Sequence, residues 1–387
     1  MQNHLEPYRS SFVDWMACAI GGAGEPAAVA ARAAASSLAD RVLAVATAGH
    51  VLDFDDTYGP GLVHLSAPTA PAAIVLGAEL GAGMEDVLAA YADGFEAMAA
   101  LARASHPHLY ERGWHPTAVT GVVGAATAAA RLLGLGPDRR HVAQRLALLG
   151  AGGLRAAFGS DGKALQVGMA AAQGVGAARL AAAGAHVPPG VVDGRDGFEQ
   201  VFGGRWAEPT EELAVSANWI KAYPCCLQTH GPIEAARQVA GIGASSEGRG
   251  LVIVHPRARQ AAPLDDVETG LQAKFSIPYT VAFTVLHGPP GVDDFASVDA
   301  EARRLASRVE VRIDDSLLET EAIIEWHEQN DVLQARVEVA RGSPQRPMDK
   351  RALTQKVRSL SGSDLEAILN DPDQPAADVL EAVGLSW

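Results

Sequence analysis

Cysteine is scarce: Cys18, Cys225 and Cys226 are the only three in 387 residues. Two are adjacent and cannot readily close an ordinary disulfide with each other. An odd, low count without framework spacing excludes a disulfide scaffold and fits a reducing compartment. The same scarcity argues against an iron–sulfur cluster held by spaced thiolates. Aromatics make up only 5% of the chain, so the core must be built from small residues that let helices pack closely. No run reaches about 18 uninterrupted strongly apolar residues, because Arg, Asp or Gly interrupts every Ala-rich segment. A basic excess is missing too. Lys and Arg number 31 against 46 Asp and Glu, for a net charge of −15, which argues against nucleic acid or an acidic membrane surface as partner. Met1–Glu6 lacks a basic segment leading into an apolar run, so the expected location is the cytoplasm. Gly150-Ala151-Gly152-Gly153 has no strand before it and so makes no dinucleotide fingerprint, and no Gly-x-Ser-x-Gly elbow stands in a strand–turn–helix context.

What is present suits a globular chain of two domains, with 48% hydrophobic and 20% charged residues. Helical periods run over 8–20, where Phe12, Trp15, Met16 and Ile20 form one stripe, and over 26–46, 68–81, 85–105, 117–133, 139–158, 163–183 and 197–202. Strand-like composition begins only later, at 250–255, 308–313, 322–326 and 333–339. Residues 349–384 return to helix. The expected fold class is therefore α+β and mainly α. An all-helical part (1–221) precedes a smaller α+β unit with a mostly antiparallel sheet (222–348), and a helical C-terminal part (349–387) follows.

The most polar stretch inside this apolar background is Gly49-His50-Val51-Leu52-Asp53-Phe54-Asp55-Asp56-Thr57, followed by His64. If it were helical, Asp53 and Thr57 would share a face at i and i+4. Carboxylates so close repel one another unless cations or bound groups lie nearby, although solvated acids at a helix end explain them equally well. His115, in Gly-Trp-His-Pro-Thr, precedes a helix whose free N–H groups could meet an anion; a packing histidine is the alternative. Lys163 stands at a helix start, where it opposes the macrodipole, and binding a carboxylate would justify it. Lys221-Ala-Tyr223-Pro-Cys225-Cys226-Leu-Gln-Thr-His230 sits at the inferred domain junction. Cys226 and His230 would share a helix face, but no second ligand pair is suitably spaced, so no metal is expected and core packing of both cysteines is the simpler reading.

In order along nearly the whole chain, these pieces resemble the MmgE/PrpD family: Asp53-Phe-Asp-Asp-Thr57, His64, Gly-Trp-His115-Pro-Thr, Gly-Lys163, Lys221-x-Tyr223-Pro-x-Cys226-x-x-Thr-His230 and Lys274-Phe-Ser-Ile-Pro-Tyr279. Members include 2-methylcitrate dehydratase, cis-aconitate decarboxylase and iminodisuccinate epimerase. The resemblance implies a large helical domain with an inserted α+β lid, a homodimer, and a lyase of small polycarboxylates without cofactor or metal. Dehydration of a 2-methylcitrate-like acid is its leading activity, with decarboxylation, epimerisation and an inert binding protein as alternatives. It further implies a site lined by Asp53, Thr57, His64, His115, Lys163 and Lys221. His115 would move a proton beside a carboxylate, His64 would assist, and Tyr223, Cys226 and His230 would contact substrate. The chain departs from the pattern at several points. It is short, with few residues before the first helix. Cys226 takes the place of the decarboxylases' histidine, and Leu65 follows His64 where proline is usual. Gly162, Ala164 and Gln166 replace Thr, Pro and His around Lys163.

Overall fold

The computed structural model describes residues 5–329, 331–369 and 371–387; residues 1–4, 330 and 370, which fall within the expected segments, lie outside that description. Contacts divide the chain into two compact units: Met1–Ala157 with Asp161–Ile220 and Asp349–Trp387, and Phe158–Ser160 with Lys221–Met348. Lys221 thus opens the second unit, where the sequence pattern assigns it to the first.

The first unit is helical, in the order α1 (Glu6–Gly22), α2 (Pro26–Ala33), α3 (Leu38–Val51), α4 (Ser66–Leu80), α5 (Met84–Ser105), α6 (His108–Glu111), α7 (Pro116–Leu132), α8 (Pro137–Leu148), α9 (Gly162–Ala182), α10 (Gly190–Asp193) and α11 (Phe198–Phe202). Chemistry visible in the sequence sets the ends. Pro stands at the first turn of α2, α7 and α8, where its missing N–H costs nothing. The Ser37 side chain accepts from Asp40 N and caps α3. Expected segment 26–46 is thereby cut into two helices, and segment 139–158 stops at Leu148, because the glycines beyond it favour turns.

The core of this unit gathers its few aromatics, Tyr8, Phe12, Trp15, Tyr91 and Phe95, around alanines and valines of α4, α5, α7 and α9. Small residues let backbones approach. A Cβ at Gly174 would lie 2.7 Å from the Val122 carbonyl oxygen, so α9 lies against α7 at a distance no larger residue allows.

One correction concerns the all-helical expectation for this part. Thr57–Tyr58 (β1) and Asn218–Trp219 (β2) form a two-stranded antiparallel pair. Strands of two residues are too short to show a period. They tie the polar stretch after α3 to the last residues of the helical part.

The second unit holds α12 (His230–Gly241), β3 (Arg249–Val254), α13 (Pro256–Ala261), α14 (Gly270–Ala273), α15 (Ile277–His287), α16 (Ala300–Ala306), β4 (Val309–Ile313), β5 (Ala322–His327) and β6 (Val332–Val337). Its sheet runs β4-β3-β5-β6. β3 pairs parallel with β4, β5 pairs antiparallel with both β3 and β6, and α12 and α15 pack on the sheet. Ala322, Ile324 and Trp326 are buried while their neighbours are half-exposed. Burial therefore alternates along β5 even though its residue types do not.

The C-terminal α17 (Lys350–Ser361), α18 (Leu365–Ile368) and α19 (Ala376–Ala382) belong to the first unit. Among the described residues, no helix is long and apolar enough to cross a membrane.

Candidate active site

α3 ends at Val51, two residues before Asp53. Asp53 itself takes a left-handed conformation, φ 52°, which Asp tolerates better than most residues. The stretch is therefore not helical, and Asp53 and Thr57 do not share a helix face. Reversing the chain here turns the Asp53 carboxylate toward α9. Lys163, in the first turn of α9, donates from Nζ to Asp53 Oδ1 at 2.7 Å, and both side chains are buried. This partner is what justifies a lysine at a helix N-terminus.

Around this pair lies a set of buried imidazoles. His64 Nε2 is 3.8 Å from Asp53 Oδ1. Its Nδ1 donates to the Asp56 carbonyl at 2.8 Å and lies 3.3 Å from Asp55 Oδ2 and 3.5 Å from Thr57 Oγ1. His50 meets His64 edge-on, with ring centroids 4.5 Å apart, and stacks on His115 at 6.2 Å. Its Nδ1 donates to Asp55, 2.9 Å from Oδ2, while its buried Nε2 has no hydrogen-bond partner among the described residues. Asp53, Thr57, His64, His115 and Lys163 are thus brought together as the motif order suggests, with His50 in their midst.

Burial raises the Asp55 carboxyl, but His50 and His64 overcome it and hold the group well below the usual carboxylate range. Burial also lowers His50 despite Asp55 beside it. Asp56 goes the other way: burial, with Asp55 nearby, pushes it up to about 7 although Ser66 and Asn218 donate to it. His115 is driven well below its ordinary value, first by burial and then by His50, Lys163 and His64.

His115 caps α7, and its backbone N–H donates to the Gly153 carbonyl at 2.9 Å. Trp114 and Leu154 form the bridge that completes this short pairing. Gln166, one turn after Lys163 on α9, reaches the same place. Its Oε1 accepts from Leu154 N at 2.8 Å, and its Nε2 lies 2.6 Å from His115 Nδ1. Gly153 has φ +115°, and a Cβ there would meet the Ala118 Cβ at 2.7 Å. Only glycine leaves room for this junction.

His50, Asp55 and Gln166 stand outside the set that the sequence singles out. Signals were available for each. His50 and Asp55 belong to the same polar stretch, and Gln166 follows Lys163 at i+3, which places it on one helix face.

The other expected residues, Lys221, Tyr223, Cys226 and His230, belong to the second unit. Lys221 is buried. Tyr223 packs edge-on against His230 at 5.1 Å, and burial pushes its hydroxyl up to about 12. Cys226 precedes a short 3-10 turn, Leu227–Thr229, and α12 starts only at His230. The two therefore do not share one α-helical face as expected. The Cys226 thiol instead donates to Gln228 Oε1.

His50, Asp55 and His64 offer one ligand atom each within 4.8 Å of one another, a set able to hold a cation. Both rings turn Nδ1 toward Asp55, and hydrogen bonds alone account for that geometry.

Comparison with known families decides the relationship. Residues 37–209 match the MmgE/PrpD N-terminal domain and residues 223–371 the MmgE/PrpD C-terminal domain. The chain belongs to the MmgE/PrpD family. Relatives within this family carry the name cis-aconitate decarboxylase. The one from Aspergillus terreus is 34% identical over 205 residues, 46% of this chain and 42% of the relative. The human one is 30% identical over 203 residues, 49% of this chain and 42% of the relative. The mouse one is 27% identical over 287 residues, 68% of this chain and 58% of the relative. The matches thus span less than two thirds of these relatives' own length. Together with the domain matches, they support membership of the MmgE/PrpD family.

Proposed function

We propose that this protein is a lyase that transfers a proton at a carbon next to a carboxylate in a small polycarboxylic acid. The observation that carries this reading is the buried Lys163 ammonium, with two imidazoles, His64 and His50, close to its Asp53 partner. A carbon acid beside a carboxylate is weak, because deprotonation or carbon dioxide loss piles charge on the carboxylate oxygens. A cation placed beforehand where that charge develops supplies several kcal/mol, about 2.7–4 per donor where single donors have been removed. An imidazole whose proton affinity lies near neutrality carries the proton.

The relatives' names make decarboxylation of an unsaturated tricarboxylate the first reaction to test. Dehydration of a 2-methylcitrate-like hydroxy acid is the second reading, carried by the resemblance of the sequence motifs to the family. Lys221, Tyr223, Cys226 and His230 are proposed as substrate-contacting residues.

The test is incubation of the purified protein with a panel of tricarboxylates and substituted succinates. Evolved carbon dioxide signals decarboxylation. A new ultraviolet absorbance signals a conjugated double bond and hence dehydration. Deuterium uptake with neither signals epimerisation. No turnover, no deuterium uptake and no binding across the panel would overturn the proposal. Activity lost to a chelator and restored by a divalent cation would move the chemistry onto the His50, Asp55 and His64 set.

A further inference from the structure

The junction between α9 and the 113–115 and 153–155 segments fixes more than position. Gln166 carries an amide whose two ends are chemically different, and both ends face the backbone of one residue. Leu154 N donates to Oε1 at 2.8 Å, and Gln166 Nε2 faces the Leu154 carbonyl at 3.3 Å. Turning the amide over would set N–H against N–H and oxygen against oxygen, so the backbone chooses its orientation. The second Nε2 hydrogen then points at His115 Nδ1, 2.6 Å away. A nitrogen that receives a hydrogen bond at that distance carries no proton of its own. The ring's proton must sit on Nε2.

We infer that Gln166 is a positioning residue that locks His115 as the neutral Nε2–H imidazole. In this form His115 donates a hydrogen bond from Nε2 to a substrate carboxylate oxygen and does not abstract a proton. A base needs a bare nitrogen, and the only bare nitrogen of His115 is occupied by Gln166. His64 has the opposite arrangement. Its Nδ1 donates to the Asp56 carbonyl, which leaves Nε2 as the lone-pair nitrogen, on the side of Asp53 and Lys163. One histidine therefore presents a donor and the other an acceptor. A fixed neutral imidazole donor steadies charge developing on oxygen without losing its own proton. The proton-carrying role then passes to His64 from His115, where the sequence pattern puts it.

The catalytic meaning of this assignment rests on the proposed function; the tautomer itself does not. The experiment is long-range proton–nitrogen NMR of protein labelled with nitrogen-15 in its histidines, near pH 7.5, with the His115 signals identified by their loss in His115→Asn. The expected result is an unprotonated Nδ1 and a protonated Nε2 on His115. In Gln166→Glu the carboxylate accepts instead of donating, and the proton should move to Nδ1. Gln166→Met keeps the bulk without a donor and should release the ring to a mixture of both forms. A wild-type His115 with its proton on Nδ1 or on both nitrogens would overturn the inference, as would a Gln166→Glu spectrum matching the wild type. With any substrate the panel identifies, Gln166→Glu should lower kcat by about 10- to 100-fold with KM changed far less, as expected for a lost donor acting in the transition state. A loss confined to KM would assign Gln166 to substrate binding instead. If no substrate is found, the function reading fails and the spectra still decide the tautomer.

Discussion

Lys163 Nζ and Asp53 Oδ1 lie 2.7 Å apart although 110 residues separate them in sequence. Each explains an oddity of the other. The lysine stands where a helix dipole repels it, and the aspartate adopts a left-handed backbone that turns its carboxylate toward α9. Both are buried, so neither charge has water to fall back on. Removing one partner takes the countercharge from a buried ion, at a cost of about 3–5 kcal/mol.

Lys163→Met should therefore destabilise the fold and abolish turnover, with kcat falling about 10²- to 10³-fold. Asp53→Asn tolerates the left-handed backbone, so its loss should come from charge alone. The double variant should be more stable than the sum of the single losses predicts, by about 0.5–3 kcal/mol, while remaining inactive. Denaturation midpoints of all four proteins check this. Additive losses would mean that the pair does not interact.

A second buried ion pair holds the same loop from behind. Lys356 of α17 lies 2.6 Å from Asp14 Oδ1, donates to the Phe54 carbonyl at 2.8 Å and sits over the Phe54 ring at 3.9 Å. Phe54 stands between Asp53 and Asp55, so the C-terminal helices brace the residues on either side of it. Lys356→Met should cost about 3–5 kcal/mol by taking the cation from the buried Asp14 carboxylate, and kcat should drop with it. Adding Asp14→Asn should recover much of the stability and little of the activity, because the hold on Phe54 stays broken. Recovery of both would confine Lys356 to a structural role.

Gly153 offers a test of the junction that holds His115. Ala in its place must adopt φ +115° and press its Cβ on that of Ala118, 2.7 Å away, with Gln166 Oε1 at 3.2 Å. Left-handed strain of about 1–2 kcal/mol adds to the clash. Gly153→Ala should lower the thermal midpoint and, by displacing Leu154 and Gln166, blur the single His115 tautomer. Gly152→Ala, where a Cβ meets nothing within 4 Å, is the control and should leave both measurements unchanged.

Much of this was legible in the residues. Pro at helix starts and Gly after helix ends are chemical signals, and the switch from helical to alternating patterns past residue 249 marks the second unit's sheet. What stayed hidden depends on single backbone torsions and distant partners. No period announces that Asp53 turns left-handed, and two-residue strands such as β1 and β2 carry no pattern. Lys356 looks like any lysine on an amphipathic helix, with Asp14 more than three hundred residues away. His50 and Asp55 sit five apart, a spacing that belongs to no helix face, and only the reversal at Asp53 folds one onto the other.

The depressed His115 gives the cleanest dependence on pH. Burial, His50, Lys163 and His64 all oppose its protonation, and Asp53 favours it. In the unfolded chain the same ring accepts a proton near pH 6.5. Above that pH both states are neutral and the difference contributes nothing. Below it the unfolded state binds a proton that the folded state refuses, so stability is lost as pH falls. Asp56, raised to about 7, works in the opposite direction: its folded form holds a proton that the unfolded chain releases, and stability falls as pH rises between about 4 and 7. The raw pH profile mixes the two effects, but a comparison of wild type with His115→Asn cancels Asp56. The variant keeps an oxygen to accept from Gln166 and has nothing to titrate. Between about pH 7.5 and 5.5 the wild type should lose about 1.4 kcal/mol more than the variant, the value of one pH unit below an unfolded pKa of 6.5. That corresponds to an extra fall of about 3–6 °C in melting temperature for a unit of this size. Parallel curves would show that folded His115 accepts a proton as readily as the unfolded chain does, and the neutral donor role would fall with that result.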